Sequence, residues 1–205
     1  MVQDEIDLTE KQILRRGEIL GSATKLFLNE GYGRTTMDNV LALVGGSKRT
    51  LYKYFPNKEA LFTAIIEQVS DRVLSAFTPP LCEGIFRETL IGMGARYLQV
   101  MTSAECISLY RAMVAEAPHF PDLADNFLQN GPCRASQHLA EYLRSHAKNN
   151  RLRITDPDLC AAQFMGAVRG NVHFHAVFNG RVPTKKETQM ISEAAVETLL
   201  NGWSK

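Results

Sequence analysis

The sequence predicts an all-α protein, with a small N-terminal three-helix unit of helix-turn-helix form followed by a larger helical domain. Three observations carry that reading. Apolar residues recur with helical period in almost every segment of the 205 residues. No segment sustains the alternating pattern of a half-buried strand, and the intervals between periodic segments hold Gly, Pro, Asn, Ser and Thr, the residues of caps and turns.

The first helix begins near Thr9, where Thr9-x-x-Gln12 has the form of a capping box, and its apolar face is Ile19, Ala23, Leu26 and Phe27. Gly31 or Gly33 ends it. A short second helix follows a Thr35-Thr36 cap, sets Met37, Val40, Leu41 and Val44 on one stripe, and stops at Gly45-Gly46. The third starts at Ser47, a good N-cap, and ends near Phe55, because Pro56 disfavours helical geometry in the residue before it. The fourth runs from Asn57 with Leu61, Ile65, Val69 and Val73 along one face until Pro79-Pro80 break it. Longer, more apolar helices are expected over 82–101, 103–116, 122–149, 157–179 and 184–203. The natural division is 1–60, a connecting helix over 61–80, and a larger domain over 81–205.

The 23 basic and 22 acidic residues nearly cancel, so attraction for a polyanion has to come from local placement. Between Lys11 and Glu59 that placement is uneven: nine basic residues stand against Glu18, Glu30, Asp38 and Glu59. Cys82, Cys106, Cys133 and Cys160 are scattered, with no metal-ligand spacing, which fits a reducing cytosol and no metal or cofactor. The acidic start MVQDEIDLTEKQ is unlike a signal peptide and no apolar run reaches the length of a membrane span, so the expected address is the cytoplasm, away from membranes.

Two short helices joined by a glycine turn and packed on a longer first helix outline a helix-turn-helix. In its second helix Leu51 faces inward, with Tyr54 and Phe55 able to touch the core, which leaves Lys48, Arg49, Tyr52 and Lys53 pointing out. A basic helix face is ordinarily just a solvated face. Here the glycine turn, the caps, the helix lengths and the charge placement agree with one another. A helix N-terminus favours phosphate through its free N–H groups, and Arg is suited to bidentate contact with guanine in the major groove.

The run from Arg16 to Ile66 resembles the DNA-binding domain of the TetR family of transcriptional regulators, and in the larger domain the segment RAMVAEAPHFPDLADNF, Arg111 to Phe127, resembles its AcrR-like repressors. The matching parts are A-x-x-L-F and G-Y between Ala23 and Tyr32, the Thr35-Thr36 pair, and S-K-x-T-L-Y-x-Y-F-x-N-K-E-x-L from Ser47 to Leu61. The resemblance implies that Thr35, Tyr52, Tyr54 and Lys58 contact DNA phosphates. It implies too that Lys48, Arg49 and Thr50 reach into the major groove and that Ser47 caps their helix. Lys11, Arg15 and Arg16 would approach the neighbouring backbone or groove. Two positions depart from the family's pattern: Gly46 stands for the usual buried valine and is expected to loosen the turn, and Arg49 stands where glycine is common.

The same resemblance implies that the larger domain binds a small molecule, largely apolar or aromatic, and forms a homodimer through a four-helix interface. Candidate lining residues are Tyr97, Met101, Tyr110, Met113, Phe127, Phe164, Met165 and Arg169, of which Arg169 is the sharpest, a cation in an otherwise apolar helix. Singly, each of them reads better as an ordinary core residue, and only the set suggests a cavity. His173 and His175 lie two apart on one helix and are badly placed to share a metal; polar contacts at an interface suit them better. With Gly166, Gly170, Ala194, Ala195, Leu199 and Trp203 they mark the expected dimer face.

The implied function is that of a ligand-responsive regulator, a repressor released from a palindromic double-stranded operator by a small molecule, and not an enzyme. A helical enzyme using a Cys or His is the alternative from another class. The sequence holds no G-x-S-x-G, HExxH, P-loop or glycine-rich nucleotide motif to support it. A DNA-binding protein without ligand control is the third reading, opposed by a large second domain with no basic bias.

Overall fold

The computed structural model describes residues 9–78, 85–147 and 154–203. Pro79, Pro80 and Cys82 lie outside the described residues, as does the side chain of Trp203. Among the described residues there is no strand. The N-terminal unit is α1 (Glu10–Glu30), α2 (Met37–Val44) and α3 (Lys48–Tyr54), followed by α4 (Lys58–Ala76). Then come α5 (Phe86–Met101), α6 (Ala104–Glu116), α7 (Pro121–Leu128), α8 (Arg134–Ala147), α9 (Pro157–Asn179) and α10 (Lys185–Trp203).

Most boundaries follow local chemistry. The Thr36 hydroxyl accepts the Asn39 N–H while Asn39 Oδ1 accepts the Thr36 N–H at 3.0 Å, closing a capping box at the start of α2. Ser47, Asn57 and Ser103 cap α3, α4 and α6 through their side-chain oxygens. Thr184 and Glu187 close another box ahead of α10, and the two Thr184 donors hold the Glu187 carboxyl below the usual carboxylate range.

Two features depart from the expected helix plan. The helix expected over 122–149 is interrupted by one π turn, Gln129–Cys133, which contains Pro132. Proline has no N–H to give the preceding turn, so the chain widens there instead of continuing as regular helix. In α9, Gly170 sits at φ 42°, ψ −148°, and the helix kinks.

Two main apolar clusters organise the packing. One gathers Phe27, Tyr32, Leu51 and Phe55 of the N-terminal unit and Phe62 of α4 with Cys106, Met113 and Leu123 of α6 and α7. The Phe27 and Tyr32 rings each meet Phe62 edge to face at 5.1 Å between centroids. Such pairs are worth about 0.5–1.5 kcal/mol beyond the area they bury. The other cluster packs α5, α8, α9 and α10 around Leu98, Leu139, Phe164 and Val196. Helix α4 supplies residues to both, Leu61 to Val69 in the first and Val73 to Ala76 in the second.

Candidate functional site

The α2–α3 turn is clasped from α1. Gly45 and Gly46 have φ of 67° and 94°, a left-handed region that favours glycine. Arg15 Nη2 donates to the carbonyls of Val44 at 3.2 Å and Gly45 at 2.7 Å. A Cβ on Gly46 would sit 3.0 Å from that guanidinium. Gly46 thus admits the arginine clasp, and the turn is tied where it was expected to be loose. Arg16 lies over the Phe55 ring, 5.2 Å from guanidinium carbon to centroid. Both arginines act inside the unit, where a role at the neighbouring backbone or groove was expected.

Helix α3 presents the expected faces. Leu51 and Phe55 are buried, Tyr54 is half-buried against the core, and Lys48, Arg49, Tyr52 and Lys53 are exposed. Ser47 Oγ and Thr50 Oγ1 lie 2.8 Å apart, and Ser47 Oγ also accepts the Thr50 N–H at 3.1 Å, so the first turn is fixed by its own side chains. Lys48 Nζ meets Asp38 Oδ1 of α2 at 2.8 Å, and this contact raises the ammonium pKa. Arg49, next to it, has no ion pair or side-chain hydrogen bond among the described residues.

Two expected phosphate contacts are placed elsewhere. Thr35 is fully buried, its hydroxyl donating to the Gly31 carbonyl at 2.8 Å, and Thr36 is the exposed member of the pair. Lys58 Nζ donates to the Tyr32 carbonyl at 2.9 Å and lies 4.3 Å from the centroid of the Tyr32 ring. Desolvation there lowers its pKa, so its charge is committed inward.

A cavity of about 390 Å³ lies between α4 and the larger domain. Val69, Ser70 and Val73 of α4 form one wall, Tyr97 and Met101 of α5 with Leu109 and Tyr110 of α6 another. Phe127, Leu128 and the π-turn residues Gly131 and Pro132 face Met165, Gly166 and Arg169 of α9 across it. Six of the eight expected lining residues are there: Tyr97, Met101, Tyr110, Phe127, Met165 and Arg169. Met113 and Phe164 are not. Met113 lies one turn beyond Leu109 and Tyr110, in the cluster of the N-terminal helices, and Phe164 faces α5 on the other side of α9.

Burial sets the protonation of this region. It pushes the Tyr97 hydroxyl up to about 12 and the Cys106 thiol up to about 11, so both stay neutral near neutral pH. A thiol held in that form is a poor nucleophile. His173, expected at an interface, is buried beside the cavity, edge-on to Tyr110 at 5.0 Å. The Met101 backbone approaches the ring, but neither ring nitrogen completes a hydrogen bond with any described group. Burial and then the charge of Arg169 push its pKa down.

Comparison with known families accounts for both regions. Residues 19–65 match the family described as bacterial regulatory proteins, tetR family, and residues 88–204 match the C-terminal domain of AefR-like transcriptional repressors. The chain belongs to the TetR family of transcriptional regulators. As a TetR-family protein it is a DNA-binding regulator of helix-turn-helix type.

Its relatives include the uncharacterized HTH-type transcriptional regulator YhgD of Bacillus subtilis, 39% identical over 71 residues, which are 33% of this chain and 37% of YhgD. The HTH-type transcriptional activator FasR of Mycolicibacterium smegmatis is 34% identical over 61 residues, 30% of this chain and 28% of FasR. The chain therefore aligns with about a third of the length of these curated relatives. Solved structures match it over nearly its full length. A TetR-family regulator from Mesorhizobium loti superposes with TM-score 0.82 at 28% identity, covering 96% of this chain and 100% of that one. The flavonoid-responsive regulator FrrA superposes with TM-score 0.79 at 29% identity, covering 93% and 97%. Among the described residues of this TetR-family chain, no helix is long and apolar enough to cross a membrane.

What the residue pattern missed in this TetR-family chain is the π turn that walls the cavity and the tie between its two regions. Gly131-Pro132 inside an expected helix was the available signal for the first. For the second, Glu116 Oε1 at the end of α6 accepts the Gly33 N–H at 3.0 Å, and Phe120 meets Tyr32 edge-on at 4.9 Å. Neither contact has a periodic signature in sequence.

Proposed function

We propose that the chain is a homodimeric repressor that leaves a palindromic operator when a small molecule enters the α4 cavity. The observation that carries this reading is that one helix serves both regions: α4 walls the cavity with Val69, Ser70 and Val73 and sits in the N-terminal core with Leu61, Phe62 and Ile65. A ligand that favours one setting of α4 thereby favours one separation of the two recognition helices, and operator affinity follows that difference. The division at 1–60, 61–80 and 81–205 is kept as the working description of this arrangement.

On the DNA side we assign Ser47 as the helix cap, Lys48, Arg49 and Thr50 to the major groove, and Tyr52, Tyr54 and Thr36 to phosphates. Thr36 takes the role first given to Thr35. The exposed apolar side chains Phe174 and Phe178 of α9, Val182 of the connection and Met190 of α10, with Phe178 82% exposed, support a dimer face there. Ala195 faces the protomer core and leaves that set. FrrA is a flavonoid-responsive regulator, and its likeness supports control by a small molecule.

The test is fluorescence anisotropy of the purified protein on the duplex upstream of its own gene, with a panel of small apolar and aromatic compounds. We expect sequence-selective binding that weakens steeply with salt, and release by at least one compound. Binding that no compound alters, together with a dimer whose cavity admits none of them, would contradict the proposal.

A further inference from the structure

We infer that the ligand of the α4 cavity is an organic acid, an apolar ring or chain bearing one carboxylate, with Arg169 as the anchor for the anionic group. This rests on the reading of the cavity as the effector site. Arg169 is the one formally charged side chain on the described lining, and it is half-buried. Other arginines of the larger domain have visible partners. Arg134 and Arg144 pair with Asp71 and Asp158, Arg96 donates to the Ala76 carbonyl, and Arg111 donates to the Val177 carbonyl. Arg169 makes no ion pair or hydrogen bond with any described residue. Withdrawing a guanidinium from water into apolar surroundings is unfavourable unless an anion or a set of acceptors meets it.

The remaining polar groups are consistent with an anion. The described lining contains no carboxylate, and its Ser70, Ser136, Tyr97 and Tyr110 hydroxyls are all able to donate. The Tyr97 hydroxyl lies close enough to Arg169 to feel its charge, as does the buried, unpartnered His173 imidazole. The cation and a neutral phenol therefore both border a cavity otherwise walled by Val69, Val73, Leu109, Phe127 and Met165. A guanidinium fork matches a carboxylate with two parallel hydrogen bonds, which a neutral amide or ester cannot reproduce. At about 390 Å³ the space suits a small aromatic or medium-chain acid, near the low end of ligand pockets.

The experiment uses matched probes on the full-length protein: cinnamate and decanoate, each beside its primary amide, by calorimetry and thermal shift, with wild type, Arg169→Gln and Arg169→Lys. At least one acid is expected to bind and raise the melting temperature, roughly tenfold or more tighter than its amide. Arg169→Gln is expected to abolish that preference with little change for the amide, and Arg169→Lys to restore part of it. Equal binding of acid and amide, an acid affinity untouched by Arg169→Gln, or no binding by either acid overturns the proposal. The acid-against-amide contrast on wild type stands alone if a variant fails to fold. DNA release is scored separately by anisotropy. Acids that bind through Arg169 without releasing DNA sustain this inference and sink the release reading, whereas amides that bind and release DNA do the reverse.

Discussion

Asp38 and Lys48 face each other across the α2–α3 turn at 2.8 Å, on the face that carries Arg49, Tyr52 and Lys53. The carboxylate holds Lys48 in the free protein and would repel a phosphate brought to the same place. Replacing Asp38 by Asn is therefore expected to tighten DNA binding several-fold at low salt, with the gain fading as salt screens the charges. An anisotropy titration across a salt series checks this; equal affinity at low salt would place Asp38 away from the DNA. At this scale the sequence was readable where periodicity decides, as at Leu51 buried and Arg49 exposed. It misled where a single side chain chooses between two partners. Thr35 and Thr36 are equivalent in a motif, but the loop after Gly31 turns one hydroxyl inward to a carbonyl and leaves the other to cap α2. Lys58 is a basic residue at a helix start by sequence, and only the position of the Tyr32 carbonyl and ring shows where its charge goes.

Helix boundaries were legible because capping chemistry is local: Thr9, Thr36, Ser47, Asn57 and Ser103 stand where the helices begin. Close approach between helices is not local. Gly94 in the middle of α5 reads as a helix-weakening residue, yet a Cβ there would lie 2.2 Å from Ser192 Oγ and 3.1 Å from Phe164 and Val168. Ser192 is itself held by a 2.7 Å hydrogen bond to the Ile91 carbonyl, so it has little room to yield. Gly94→Ala would gain about 1 kcal/mol of helix propensity and lose about 1–3 kcal/mol to overpacking. The expected net result is destabilisation, with the melting temperature lower by a few degrees, at roughly 2–4 °C per kcal/mol for a chain of this size. Gly17→Ala in α1, where a Cβ meets nothing within 4 Å, is the control and should raise it. A higher melting temperature for Gly94→Ala would show that α10 shifts away from α5 at no cost. The π turn at Gln129–Cys133 belongs to the same class: its cause, Pro132, is visible in sequence, but that it opens a cavity wall depends on α4 and α9 across from it.

Over the whole molecule, α4 and the Glu116 to Gly33 contact join the DNA-facing helices to the cavity, so neither region packs independently of the other. The fold class and the order of elements were readable from helical period and turn chemistry. The membership of the cavity was only three-quarters so, because a helical stripe tells which residues are apolar and not which of two neighbouring cores receives them. Met113 and Phe164 went to the cores, and the π turn supplied Gly131 and Pro132 in a place no stripe indicates. All of the proposed regulation depends on the Ser47–Phe55 segment reading DNA. The most direct measurement is fluorescence anisotropy of the full-length protein on its own upstream duplex and on a scrambled duplex, with wild type beside the Lys48→Ala, Arg49→Ala double variant. Wild type should prefer its own duplex, and the double variant should lose about tenfold or more in affinity and most of that preference, since a good base contact is worth about 1–3 kcal/mol. A double variant that folds normally and keeps both the affinity and the preference would contradict the assignment.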